Sequence, residues 1–203
     1  MIPAPQPNKP PRVALYGGAF DPVHRAHVAV ARAALQQAAL AKVVFVPAAL
    51  SPLKAHGPVV SDADRMEMLR LATAGEPDFV IDDRELQRGG ISYTVDTVRG
   101  FMAQDPVAEI CWIIGGDQLA QLGRWHAISE LMQLVSFLVV ARPDYPLSDP
   151  GLAELRWIRI EAPMMPESSS LVRERIRVGL PVTGLVHPAV EAFIRAKRLY
   201  AAH

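Results

Sequence analysis

Val13-Ala14-Leu15-Tyr16-Gly17-Gly18-Ala19-Phe20-Asp21-Pro22-Val23-His24-Arg25-Ala26-His27 is the stretch on which the reading of the chain turns. It opens as a short apolar run, the pattern of a buried strand. Gly17 and Gly18 follow at once, where a backbone can turn sharply or approach a ligand closely. Asp21-Pro22 interrupts any regular element. A helical pattern rich in alanine and leucine then runs from Val28 to Leu40. His24 and His27 stand at its entrance, at a spacing that puts both rings on one side if the first turn has formed by His24. A helix N-terminus offers free N–H groups and the positive end of a dipole. Two imidazoles added there predict a site for polyanions such as phosphates.

Two common phosphate motifs are excluded. The dinucleotide fingerprint G-x-G-x-x-G needs a third glycine that is absent, and no G-x-x-x-x-G-K-[ST] occurs. Exposed helix residues or a pair of metal ligands are the other readings of the two histidines. A metal centre needs a third and fourth ligand. His56, His126, His187 and His203 show no ligand-like spacing, and the single cysteine, Cys111, lies in an apolar strand pattern. No protein-held metal is expected.

Around this stretch, strand and helix patterns alternate. Strands are expected at Arg12–Tyr16, Lys42–Pro47, Phe79–Asp82, Glu109–Ile114, Ser136–Ala141 and Arg156–Ile160. Helices are expected at Ala63–Ala74, with a stripe of Met66, Leu69 and Leu71, and at Ser92–Ala103, Ser170–Val178 and Pro188–Ala196. Short helical pieces fill Asp117–Gln121 and Ile128–Leu134. Strands separated by helices imply right-handed crossovers. The fold class is therefore α/β, a doubly wound, mostly parallel sheet with helices on both faces. Ligands in such sheets bind beyond the C-terminal strand ends. Gly17, Pro47, Asp82, Gly115 and Arg142 all fall there.

The chain has 203 residues, 50% hydrophobic and 21% charged, which suits one globular domain over residues 12–203. Met1 to Pro11 is proline-rich, lacks the apolar core of a signal peptide and reads as a flexible tail. Lys+Arg and Asp+Glu both number 21, which argues against a nucleic-acid surface. No apolar run approaches the ~20 residues of a membrane span. One cysteine excludes an internal disulfide and suits the cytoplasm. Oligomeric state is left open, a homo-oligomer included.

Other stretches carry chemistry less plainly. In Gly115-Gly116-Asp117 the glycines let a base or ribose lie against the backbone, and Asp117 can accept from a ribose hydroxyl; a capped turn explains them equally. Ser168-Ser169-Ser170-Leu171-Val172-Arg173 places hydroxyls before a helix and a guanidinium in its first turn. Arg173 can hold a phosphate bidentately, although spacing alone slightly favours a plain capped helix. Ser92-Tyr93-Thr94 opens a helix, Trp125 offers an aromatic platform in a polar loop, and Lys54 and Arg142 are loop cations near strand ends.

Taken together, these motifs resemble bacterial nicotinate-nucleotide adenylyltransferase, within the nucleotidylyltransferase superfamily. Gly17 to His27 is similar to the superfamily signature of a glycine turn, F-D-P and [HT]-x-G-H, with Ala26 in place of a glycine. Ser168 to Arg173 resembles its second motif, with Glu167 where many members carry isoleucine. Asp82 to Leu86, Ser92 to Thr94, Ile113 to Asp117, Arg124-Trp125 and Arg142-Pro143 resemble the nicotinate branch. The resemblance implies the Rossmann-like nucleotidylyltransferase fold. It also implies transfer of the adenylyl group of ATP to nicotinate mononucleotide, with Mg²⁺ held mainly by the triphosphate. His24, His27 and Arg173 would be catalytic. Gly17, Gly18, Phe20, Gly115, Asp117, Ser168 and Ser170 would join them around ATP. Gly18, Ala19, Lys54, Tyr93, Thr94 and Trp125 would meet the mononucleotide, Trp125 by stacking on the pyridine ring. Nicotinamide mononucleotide or phosphopantetheine as acceptor, and a non-catalytic nucleotide-binding regulator, are the competing expectations.

Overall fold

The apolar runs pair in register, and all in one direction. A computed structural model of the chain describes residues 10–52, 56–141, 147, 150–163 and 165–202. Met1 to Lys9 of the expected tail, Lys54 and Arg142 lie outside the described residues. The strands are β1 (Arg12–Gly18), β2 (Lys42–Pro47), β3 (Phe79–Ile81), β4 (Glu109–Gly115), β5 (Ser136–Val140) and β6 (Trp157–Ile160). They form one sheet in the order β3-β2-β1-β4-β5-β6, and every pairing is parallel. The strand order reverses between β1 and β4, the switch point at which doubly wound folds bind ligands.

The helices are α1 (Arg25–Gln37), α2 (Asp62–Thr73), α3 (Arg84–Arg88), α4 (Thr94–Gln104), α5 (Gly116–Leu119), α6 (Ile128–Leu134), α7 (Ser169–Arg177) and α8 (Pro188–Lys197). A 3-10 turn covers Leu122–Arg124. Successive strand residues point to opposite faces, so β4 sends Cys111 and Ile113 to one core and Ile110, Trp112 and Ile114 to the other. The first core is closed by Val28, Ala31 and Ala34 of α1, Met68 and Leu69 of α2, Val172 of α7 and Ile194 of α8. The second is closed by Val98 and Phe101 of α4, Leu119 of α5 and Leu131 of α6. Burial on both faces explains why the strands read as unbroken apolar runs. Each fully buried Leu, Ile or Phe, such as Leu15, Ile113 or Phe137, contributes roughly 1.5–3 kcal/mol.

Two helix starts and one buried stripe differ informatively from the sequence expectation. α1 begins at Arg25, not Val28, and His24 is its N-cap in extended conformation. α4 begins at Thr94, because Ser92 is used elsewhere: its hydroxyl accepts from Ala49 N–H at 3.0 Å and its own N–H donates to Leu50 O at 2.8 Å. The buried stripe of α2 is Arg65, Met68, Leu69 and Ala72, a regular helical spacing, whereas Met66 and Leu71 are only half-buried. An arginine in that stripe hid it.

Candidate active site

The ends of β1 and β4 form the floor of a crevice. Gly17 is steric in origin: a Cβ there would lie 2.7 Å from Cζ2 of Trp112, whose indole is buried beneath it. Past Gly18 the chain reverses at Phe20, which takes a left-handed φ of 48° and buries its ring against Tyr16, Phe45 and His27. Gly18 O accepts from Ala48 N–H at 2.8 Å and joins the exits of β1 and β2. Gly115 caps α5, and a Cβ on it would meet the carboxylate of Asp117.

The two histidines lie together. Their ring centroids are 3.7 Å apart at 34°. His27 Nδ1 accepts from the His24 backbone N–H at 3.1 Å. A neutral ring that accepts at Nδ1 carries its proton on Nε2, which places the His27 donor on the opposite edge of the ring. His24 is 7% exposed and is not in the crevice lining; it stacks on His27, which is.

The second motif docks directly on the first. Arg173 Nη1 donates to Asp21 O at 2.6 Å, and its Nη2 donates to Ser170 Oγ at 3.2 Å. Ser169 Oγ donates to Pro22 O at 2.9 Å. Ser168 caps α7 by accepting from Leu171 N–H at 3.1 Å. Of the three serines, only Ser169 lines the crevice.

The crevice has two lobes. The larger, of about 680 Å³, is lined by Phe20, Asp21, His27, Asp117, Ser169 and Arg173 among others. The smaller, of about 420 Å³, is lined by Glu85, Tyr93, Thr94, Trp112, Trp125 and His126 among others. Gly17, Gly18, Ala19, Ala48, Ser51 and Gln118 line both, so the lobes meet over the β1 turn. Trp125 packs edge-on to Phe137 at 6.4 Å, and its buried Nε1 has no hydrogen-bond partner among the described residues. Tyr93 and His126 stack at 4.3 Å on the same lobe. Burial raises the Glu85 carboxyl above its ordinary 4.5, opposed by hydrogen bonds with Thr97 and Ser92 and by Arg88.

Sequence reasoning missed Arg65, Ser169, Gln118, Trp112 and His126. The Arg65 side chain is fully buried; Nη1 donates to Ala19 O at 2.7 Å and Ala48 O at 2.8 Å, and Nη2 pairs with Asp62 at 2.5 Å. It clamps the two strand exits that both lobes share. Position in the α2 stripe was the available signal, and a charged residue there is ordinarily read as exposed.

A family model described as cytidylyltransferase-like matches residues 15–175. A probable nicotinate-nucleotide adenylyltransferase of Geobacillus kaustophilus is 41% identical over 191 residues, 94% of this chain and 87% of that protein. One from Herpetosiphon aurantiacus is 40% identical over 197 residues, 94% and 99% of the respective chains. The chain belongs to the nicotinate-nucleotide adenylyltransferase family. The fold agrees with that of the nicotinic acid mononucleotide adenylyltransferase of Plasmodium falciparum complexed with NaAD, with a TM-score of 0.80 at 18% identity over 94% of this chain and 97% of that one. As a member of this family the chain is a nucleotidyltransferase. Ala26, its departure from the signature, sits half-buried in the first turn of α1, where alanine is the best helix former.

Proposed function

We propose that this chain transfers the adenylyl group of ATP to nicotinate mononucleotide, forming deamido-NAD and pyrophosphate in cytoplasmic NAD biosynthesis. One observation carries the reading: a lobe with His27 and Arg173 and a lobe with Trp125 and Tyr93 meet over the glycines that end β1. ATP takes the larger lobe. Its triphosphate lies against Gly17, Gly18 and Phe20, His27 and Arg173, with Ser168, Ser170 and His24 holding that wall. Gly115 and Asp117 face the adenosine. The mononucleotide takes the smaller lobe with Gly18, Ala19, Tyr93 and Thr94, and Trp125 against its ring. Relatives of this family by name act on nicotinate mononucleotide, and a Plasmodium falciparum structure was obtained complexed with NaAD.

The phosphate of the mononucleotide is already ionised at neutral pH, so no general base is needed. One of its oxygens attacks the α-phosphorus of ATP in line. The new P–O bond forms as the bond to the β-phosphate breaks, and pyrophosphate leaves with its electron pair. Catalysis is then positioning plus neutralisation of spreading negative charge. His27 donates from Nε2, and Arg173 offers the part of its fork that Asp21 O and Ser170 do not use.

Mg²⁺ fits this lining as an ion carried by the nucleotide. Among the described residues no group of three or more His, Cys, Asp or Glu is placed to hold a metal. Mg²⁺ commonly keeps several waters and binds through substrate phosphates. Bound there, it would supply further charge neutralisation at the polyphosphate.

The test offers the purified chain ATP and Mg²⁺ with nicotinate mononucleotide, nicotinamide mononucleotide or phosphopantetheine in turn, and reads pyrophosphate release. The acid mononucleotide is expected to give the highest kcat/KM. A higher value with either rival acceptor overturns the acceptor assignment.

A further inference from the structure

The end of the described chain reaches back to the first motif. After α8, Arg198 takes a left-handed conformation, Leu199 N–H donates to Ile194 O at 3.0 Å, and Leu199 and Tyr200 pack on the core beside α1. The Tyr200 hydroxyl donates to Asp21 Oδ1 at 2.7 Å. Asp21 is only 3% exposed, and its Oδ2 accepts from Val59 N–H at 2.6 Å. Neutral donors therefore occupy both carboxylate oxygens. Arg173 stands on the same residue, yet it takes the main-chain carbonyl of Asp21 instead. Among the described residues Arg173 makes no ion pair.

That arrangement matters because arginine and carboxylate pair strongly and often bidentately. A carboxylate turned onto Arg173 would neutralise the cation and fill its fork. Burial, and then the hydrogen bond to Asp21, raise the Tyr200 phenol above its ordinary value, so it remains a proton donor; Arg173 and Arg65 are the cations that face it.

We propose that Tyr200 is a positioning residue of the larger lobe: it holds the Asp21 carboxylate off Arg173, so that the guanidinium stays available to a polyphosphate. The identity of that polyphosphate as ATP rests on the function proposed above.

The test is a cycle of Tyr200→Phe, Asp21→Asn and the double variant in the full chain. ATP affinity is read by calorimetry without any acceptor, and KM and kcat by pyrophosphate release. Phe keeps the packing of the ring, and circular dichroism checks that the fold persists. Tyr200→Phe is expected to weaken ATP binding by about tenfold, with the KM for the mononucleotide unchanged. In the Asp21→Asn background the same change should cost less than about threefold, because an amide cannot neutralise Arg173. An equal loss in both backgrounds, a loss shared by both substrates, or unaltered ATP binding in Tyr200→Phe overturns the proposal. Should the chain bind ATP but transfer to no acceptor, the function above fails while the calorimetric cycle still decides the role of Tyr200.

Discussion

The larger lobe is held together by hydrogen bonds between distant segments, whereas the smaller is shaped mostly by flat side chains. In the larger, Arg173 grips a carbonyl 152 positions earlier in the chain and Ser169 grips the next one, while Arg65 clamps two more in the floor that both lobes share. In the smaller, Trp125 leans on Phe137 and Tyr93 stacks on His126, with one buried carboxyl, Glu85, behind them. The difference follows from the charge each lobe would receive. Polyanions need fixed donors whose orientation costs nothing at the moment of reaction. A planar ring needs a surface of matching shape, and a few aromatic contacts suffice.

Substitutions can break that contrast at either lobe. The largest effect is expected from His27→Ala, which removes the Nε2 donor and should lower turnover at least about a hundredfold, roughly 3–4 kcal/mol in the barrier, with the fold intact. Near-wild-type steady-state turnover would end its catalytic assignment. Arg65→Met leaves the Ala19 and Ala48 carbonyls without their buried donor and should cost about 3 kcal/mol of stability in urea unfolding. Because both carbonyls belong to the shared floor, its residual activity should show raised KM for both substrates; a change in one alone would separate the lobes more sharply than the geometry does. Gly17→Ala drives a methyl into Trp112, for an expected loss of about 1–3 kcal/mol. An unaltered melting temperature would show that the indole can move aside.

Smaller effects probe the aromatic side. Trp125→Ala should raise the KM for the mononucleotide about tenfold, in line with the ~0.5–1.5 kcal/mol of an aromatic pair plus lost burial, and leave that for ATP unchanged. Equal changes for both would make Trp125 core packing alone. Glu85→Gln should have the smallest effect, and its sign depends on pH. The fold raises this carboxyl above 4.5 through burial. Just above that value the native state keeps a proton that the unfolded chain has lost, so stability falls as pH rises through the native pKa. The Gln variant lacks that loss. Its stability relative to wild type should therefore improve from acid to neutral pH, measured by urea unfolding across the range. A constant difference would place the carboxyl in a more polar setting than its burial indicates.

Much of this was legible before any coordinates. The strand ends at Pro47 and Gly115 and the capping serine of α7 lie where local pattern put them, whereas Gly17 and Gly18, read as a turn, are the last paired residues of β1 and the reversal falls at Phe20. Tyr93, Thr94 and Trp125 do line one lobe, and Gly115, Asp117 and Arg173 the other. What failed was the finer placement. Ser168 and Ser170 serve α7 and Arg173 while Ser169 faces the crevice, because a hydroxyl's direction depends on where the helix docks. α3 was missed because its five residues carry too few apolar positions to show a period.

The sequence by itself determined the α/β alternation, the break at Asp21-Pro22 and the helix entrance that gathers histidines. Those follow from periodicity and backbone sterics, which act between near neighbours. Only the tertiary structure decided which arginine is buried under the floor, that Arg173 rests on the Asp21 carbonyl, and that Tyr200 closes on Asp21 from the other end of the chain. Such contacts form between residues whose local sequence is unremarked, since a buried hydrogen bond needs a partner in space and imposes no spacing along the chain.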